Sequence, residues 1–311
     1  LGADIVLTAV DNTADGQNGL PSIGGDNGHS LTLDGQGHTL SRSGATAFRI
    51  LHVASGATLT LRHVRIQNGL ASAGGLGTLG AGLYSAGTLT VERSVFASNT
   101  ATTVSGLGAG IFINLGDTII TESTFTGNTG AMGVGVYVYQ ATVLLTGNTF
   151  TGNSSTGGGA ALANESGTVT VTNNTFSNNQ VLNAYGGAIY QLGGSAVLTN
   201  NTLTGNSASS GGGALYNLGG TLTLRNNIIS GNTAPSNREC FNNTIIGGTI
   251  MSANAHNVLG VSGDAGGCPA GLADIVPAGA LTTILKVLGD NGGPTQTHAL
   301  AASSPALDAA D

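Results

Sequence analysis

Tryptophan is absent from this chain of 311 residues, and Asp, Glu, Lys and Arg together make up only 7% of it. Charge this sparse does not suit a disordered chain, which stays unfolded through high net charge and few apolar groups. Eight Lys and Arg against fifteen acids leave a net charge of −7 and no basic stripe, so no nucleic-acid partner is expected. No apolar run reaches the roughly 20 residues that a membrane-spanning helix needs. The only two cysteines, Cys240 and Cys268, are expected to form an oxidised pair. Such a pair fits an exported protein and contributes on the order of 3 kcal/mol. The start at Leu1, inside strand-like sequence, is read as a processed N-terminus.

Glycine is what the chain has in abundance, with 53 residues. That is too many for an ordinary helical domain, and no Gly-X-Y period marks a collagen. Apolar residues are 40% of the chain, much of this Val, Ile and Leu in short runs beside Thr, which read as strands. The length allows a sizeable buried core.

Following one apolar position reveals the organisation. Ile66, Phe96, Phe125, Phe150, Phe176, Leu203 and Ile229 recur about every 25–30 residues. Asn follows three residues later at Asn99, Asn128, Asn153, Asn179, Asn206 and Asn232, and precedes by two at Asn148, Asn174, Asn201 and Asn227. Aliphatic residues alternate upstream, as in Leu89 and Val91 or Val169 and Val171, which turns one set inward. A single coil cannot bury its apolar face alone, but stacked coils share a continuous core. These features predict an all-β, right-handed parallel β-helix with coils of about 25–29 residues, each of three short strands and three turns. Equivalent Asn residues then stack into columns that hydrogen-bond from coil to coil. Residues 81–234 carry the clearest repeats and 30–80 less regular coils, so 1–234 is the helix. Residues 235–311, with both cysteines and most prolines, read as irregular last coils and a cap of the same domain, covering exposed strand edges.

The repeats, for example Gly212-Gly-Ala-Leu-Tyr-Asn-Leu-Gly-Gly-Thr-Leu-Thr-Leu running on to Ile229-Ser-Gly-Asn232, resemble those of chlamydial polymorphic membrane proteins. They equally resemble bacterial surface proteins of the choice-of-anchor Q group. Asp11-Asn-Thr-Ala-Asp-Gly-Gln-Asn-Gly-Leu-Pro21, Asp290-Asn-Gly-Gly-Pro-Thr-Gln-Thr-His298 and Ser304-Pro-Ala-Leu-Asp308 are similar to stretches of that group. The resemblance implies export and surface anchoring, often with adhesive or envelope roles.

Candidate chemistry is thin. Polysaccharide lyases and hydrolases on such folds need a calcium site with a basic residue, or paired acids. Within 81–234 the acids are Glu92, Asp117, Glu122 and Glu165. Register places Arg62 beside Glu92 and lines up His63, Arg93 and Glu122. This cluster reads first as ion pairing on a solvated face, and otherwise as a shallow catalytic patch with Glu92 or Glu122 as acid or base. Asp11, Thr13, Asp15 and Gly16 match the first half of a calcium loop, but Ser22 stands where its bidentate Glu belongs. A looser structural calcium site is the remaining cofactor expectation, against a plain Asx turn.

Tyr84, Phe112, Tyr137, Tyr190 and Tyr216 share one repeat position, interrupted by Ala163, beside the aliphatic column of Leu83, Ile111, Val136, Leu162, Ile189 and Leu215. If the aliphatics face in, the aromatics face out, either as an exposed stripe that stacks on sugars or another protomer, or as rings that merely shield the sheet. Thr124/Thr126, Thr149/Thr151, Thr175/Ser177 and Thr202/Thr204 flank the inward Phe in a hydroxyl lattice that resembles an ice-binding face, although Thr is also simply a good strand residue. The Gly-rich segments lack the Lys and helix of a phosphate loop. No strong serine nucleophile motif stands out, and His52, His63 and His298 read as turn or surface residues. The leading expectation is a non-enzymatic, secreted or cell-surface structural or adhesion protein. Its partners are its own protomers, in filaments, or surface polymers such as polysaccharide. A polysaccharide lyase or hydrolase, and a glycan- or ice-binding module, are the alternatives.

Overall fold

The 26-residue rhythm of Phe, Asn, Gly and alternating aliphatics winds the chain into a right-handed parallel β-helix of about eight turns. The structure is a computed structural model and describes residues 1–24, 30–72, 74–102, 104–251 and 255–309. One coil shows the plan: Ile111–Asn114, Thr118–Thr121, Thr124–Thr126 and Thr129–Met132 belong to four successive sheets. Stacking these segments gives sheets of eight, nine, ten and six strands, called here the first to fourth, and all their pairings are parallel.

A coil therefore has four strands where the repeat pattern predicts three. The fourth sheet runs from Leu70–Ala71 to Ser207–Ala208. Its strands are mostly two residues long and, except for Gln180–Val181, carry Ala, Ser or Gly, too short and too small for a period of two to stand out.

Inward residues of the first three sheets form one continuous core. Phe96, Phe125, Phe150 and Phe176 are in register and fully buried, with ring centroids 5.2, 4.7 and 4.9 Å apart and nearly parallel planes. Burying each ring is worth about 1.5–3 kcal/mol. Two asparagine ladders hold the corners on either side of this column. In one, Asn99, Asn128, Asn153, Asn179 and Asn206 each donate their backbone N–H and Nδ2 to the Oδ1 of the next Asn at 2.8–3.2 Å. The same Nδ2 of Asn128 also reaches back to Phe96 O. The second ladder runs Asn148, Asn174, Asn201, Asn227, Asn257 in the same way.

Regular pairing continues past residue 234. Cys240–Asn242, Thr249–Met251 and Val258–Leu259 still extend the first, second and third sheets. Residues 255–284 then close the end of the helix: Ile275 pairs with Val258, and Cys268 is disulfide-bonded to Cys240. The chain finally turns back as an antiparallel hairpin, Leu285–Gly289 with Thr297–Leu300, along the outside of the third sheet. Gln296 O accepts from Thr149 Oγ1 (2.5 Å), Gly147 O accepts from Thr295 Oγ1 (2.9 Å), and His298 Nε2 lies 3.0 Å from Ser177 Oγ.

This hairpin covers much of the Thr lattice. Thr149, Thr175, Ser177 and Thr204 are buried, so the face expected to offer a regular hydroxyl array to ice is in large part an internal contact.

Candidate functional site

The corner between the second and third sheets is built by left-handed residues. His63, Arg93, Glu122 and Asn173 occupy it in successive coils with φ of 48°, 45°, 48° and 57°, and Gly147 with 67°. A left-handed residue is costly for most L-amino acids, least so for Gly and Asn. It reverses the chain sharply here and leaves the side chain outside. Arg62 and Glu92 end neighbouring second-sheet strands and are in register.

These residues, with Asp34, form a groove of about 720 Å³ that is closed along one side by Gly293, Pro294 and Thr295 of the C-terminal hairpin tip. It crosses six coils from Asp34 to Asn173, roughly 24 Å at the usual interstrand spacing. Arg62 Nε lies 2.9 Å from Glu92 Oε2, Arg93 Nε 2.6 Å from Glu122 Oε2, and His63 Nδ1 3.4 Å from Asp34 Oδ1. All six side chains are exposed to a third or more, so solvent screens each pair.

The pairing limits the chemistry. The hydrogen bond and charge of Glu122 raise the Arg93 pKa, so this guanidinium keeps its proton and cannot serve as a base. Glu92 and Glu122 each face a guanidinium rather than one another, unlike two carboxyls placed across a glycosidic bond. Asp34 is held below the ordinary carboxylate range, chiefly by the Gln36 backbone N–H and then by His63. The groove is thus open, with its three acids paired to two guanidiniums and an imidazole.

The aromatic column does face away from the lumen, but it is not an exposed stripe. Tyr84, Phe112, Tyr137 and Tyr216 are at most 5% exposed, and Tyr190 is half-buried. Leu79 and Leu107, from the connections into the first sheet, and Met132, at the end of a fourth-sheet strand, pack over them. The rings of Tyr84, Phe112 and Tyr137 stack on one another at 5.6 and 5.2 Å, so their faces are occupied. The exposed-stripe expectation is corrected by this cover, which short Gly-rich connections permit.

Asp11 and Asp15 make separate bonds. The Asp11 carboxylate accepts from Asn12 Nδ2 (3.0 Å), and Asp15 Oδ2 lies 3.2 Å from His52 Nε2. The loop between them is closed by Asn12–Asn18 backbone bonding. Among the described residues no three His, Cys, Asp or Glu side chains converge as metal ligands.

Three features went unseen in the sequence. His52 is not a turn or surface residue but 1% exposed, because its column is roofed by the 15–17 and 76–79 segments. Glu239 and Asp274 receive the last donors of the two asparagine ladders: Asn232 Nδ2 reaches Glu239 Oε2 (2.5 Å), and Asn257 Nδ2 reaches Asp274 Oδ1 (3.0 Å). Glu239 had a signal, being the sole acid between Glu165 and Asp264 and following closely on the last Asn of the column. The hairpin that walls the groove had none, since it contacts residues nearly 150 positions away.

Stacked parallel coils, an aliphatic lumen and asparagine corners define a right-handed parallel β-helix protein with an axial surface groove. Residues 49–263 match the family described as "Right handed beta helix region", and the chain belongs to that family. No curated protein and no solved structure matches it.

Proposed function

We propose that this protein is a β-helix of the cell exterior that acts in adhesion, and that its axial groove holds an extended, neutral polysaccharide without cleaving it. The observation that carries this reading is the groove itself. It is long, shallow and lined by guanidinium, carboxylate, hydroxyl and amide groups, with three cationic or His side chains opposite three acids. Such a lining offers many hydrogen bonds and little net charge to a hydroxyl-rich polymer, and no apolar cavity to a compact ligand. The Cys240–Cys268 disulfide supports an oxidising compartment. No described helix is long and apolar enough to cross a membrane. The resemblance to choice-of-anchor Q proteins and chlamydial polymorphic membrane protein repeats points to the same surface role.

Affinity electrophoresis through gels containing neutral or acidic polysaccharides tests the reading. The wild-type chain is expected to be retarded by at least one neutral polymer, and an Arg62→Ala/Arg93→Ala variant to migrate freely. Retardation by none, or equal retardation of the variant, removes the groove as the binding site.

The rival reading, a polysaccharide lyase or hydrolase, is favoured by one observation: Glu92, Glu122 and their Arg partners do line a common groove. It requires one of these pairs to open on substrate binding. Cleavage that disappears in a Glu92→Ala/Glu122→Ala variant would establish it.

A further inference from the structure

Coil stacking assembles a second polar constellation, on the outer side of the first sheet near the N-terminal end. Ile23 pairs with Val53, which puts Ser22 beside His52 one coil on. Ser22 Oγ lies 2.5 Å from His52 Nδ1, and His52 Nε2 lies 3.2 Å from Asp15 Oδ2. The imidazole is fixed: it is 1% exposed and stacks on Tyr84 with centroids 5.4 Å apart and planes at 18°. The Asp15 backbone is held as well, while its carboxylate is half-exposed. The residue sits in a left-handed conformation (φ 51°), and its carbonyl accepts from Arg49 Nη2 at 3.0 Å.

Arg49 is itself unusual. It is 1% exposed, lies 4.8 Å over the Tyr84 ring, and its Nε and Nη1 have no hydrogen-bond partner among the described residues. A buried cation with unsatisfied donors is expensive, and sites that keep one are commonly functional.

We propose that Ser22 is an activated nucleophile, with His52 as its general base and Asp15 as the residue that orients the imidazole, and that the site transfers acyl groups from esters to water. A carboxylate at Nε2 selects the tautomer that carries its proton there, which leaves Nδ1 free to accept the Ser22 hydroxyl proton. The two ring nitrogens thus exchange the roles they have in the common serine triad. As the Ser22 Oγ–carbonyl carbon bond forms, the hydroxyl proton passes to Nδ1. As the ester C–O bond breaks, the imidazolium returns that proton to the leaving alcohol. Water then adds to the acyl-serine by the same proton relay, releasing the carboxylic acid. Burial and the neighbouring Arg49 both lower the His52 pKa, against a smaller opposing effect of Asp15, so the imidazole is neutral and able to accept a proton at neutral pH.

The site is independent of the groove, and its test leaves the groove reading untouched. The intact chain would be treated with a fluorophosphonate probe and the adduct mapped by mass spectrometry. Labelling of Ser22 is expected, slowed about 100-fold or more in His52→Ala and Asp15→Asn variants whose thermal unfolding is unchanged. Its rate should rise with pH through an inflection below the ordinary histidine value, and p-nitrophenyl acetate hydrolysis should follow the same profile. If the variants lose their fold, the pH inflection of the wild type decides the matter. No adduct on Ser22, or an adduct formed at a rate independent of pH across the histidine range, would overturn the proposal.

Discussion

Each asparagine of a ladder gives two donors to the next coil and accepts two from the one before, so the ladder has a direction. The last Asn therefore needs an acceptor that brings no competing donor, and a carboxylate meets that need. Glu239 does so for Asn232, taking its Nδ2 and backbone N–H together with the Gly231 N–H. Burial pushes the Glu239 pKa up to about 7, against these hydrogen bonds and the weak pull of Arg238, which is itself paired with Asp264. The folded state thus holds the Glu239 proton over a pH range where the unfolded chain has released it. The stabilisation is complete below about pH 4.5 and is lost as pH rises to about 7, with an upper bound of roughly 3 kcal/mol. Chemical unfolding at pH 5 and pH 8 should show that loss in the wild type and a smaller one in Glu239→Gln. An equal loss in the variant would mean that another group titrates. At this scale the sequence was half legible. The Asn columns and the Arg62–Glu92 register follow directly from repeat spacing. Ser22, His52 and Asp15 do not, because they share no motif and meet only once the coils stack.

Among the elements, the aromatic and aliphatic periods made the first three sheets readable, while the fourth was hidden in two-residue strands of small side chains. The C-terminal hairpin was the larger surprise. It is held to the solenoid by an apolar cluster that joins Leu285 and Leu300 to Ile228 and Val258, and by a few side-chain hydrogen bonds, one of which uses His298, which also lies 2.7 Å from Lys286 O. Burial lowers the His298 pKa. A histidine whose folded value is depressed favours the docked state above its ordinary value of about 6.5 and opposes it as pH falls below. Amide hydrogen exchange in residues 297–300, corrected for intrinsic rates, should therefore accelerate on acidification while the third-sheet strand Phe150 belongs to stays protected. Uniform protection down to pH 5 would show that His298 does not control docking. Release of the hairpin would open one wall of the groove and uncover Thr149 and Ser177 together.

For the whole molecule, the fold was the most legible level, because one coil's pattern is repeated until chance cannot explain it. Function was the least, because the solenoid uses the same residues for its own corners and ladders that an enzyme would use for catalysis. Coil-on-coil extension is obstructed at the C-terminal edge of the third sheet, since Ile275 pairs with Val258 of its last strand and Asp274 takes the last donor of one asparagine ladder. A rod whose end is closed and whose groove is open along its flank is suited to contact a polymer side-on. The most direct measurement is the chain length of a neutral polysaccharide after prolonged incubation with the protein that retains it. Recovery of polymer of unchanged length, with no new reducing or unsaturated ends, is the predicted result. Shortened chains, or polymer that was never retained, would contradict a binding groove without catalysis.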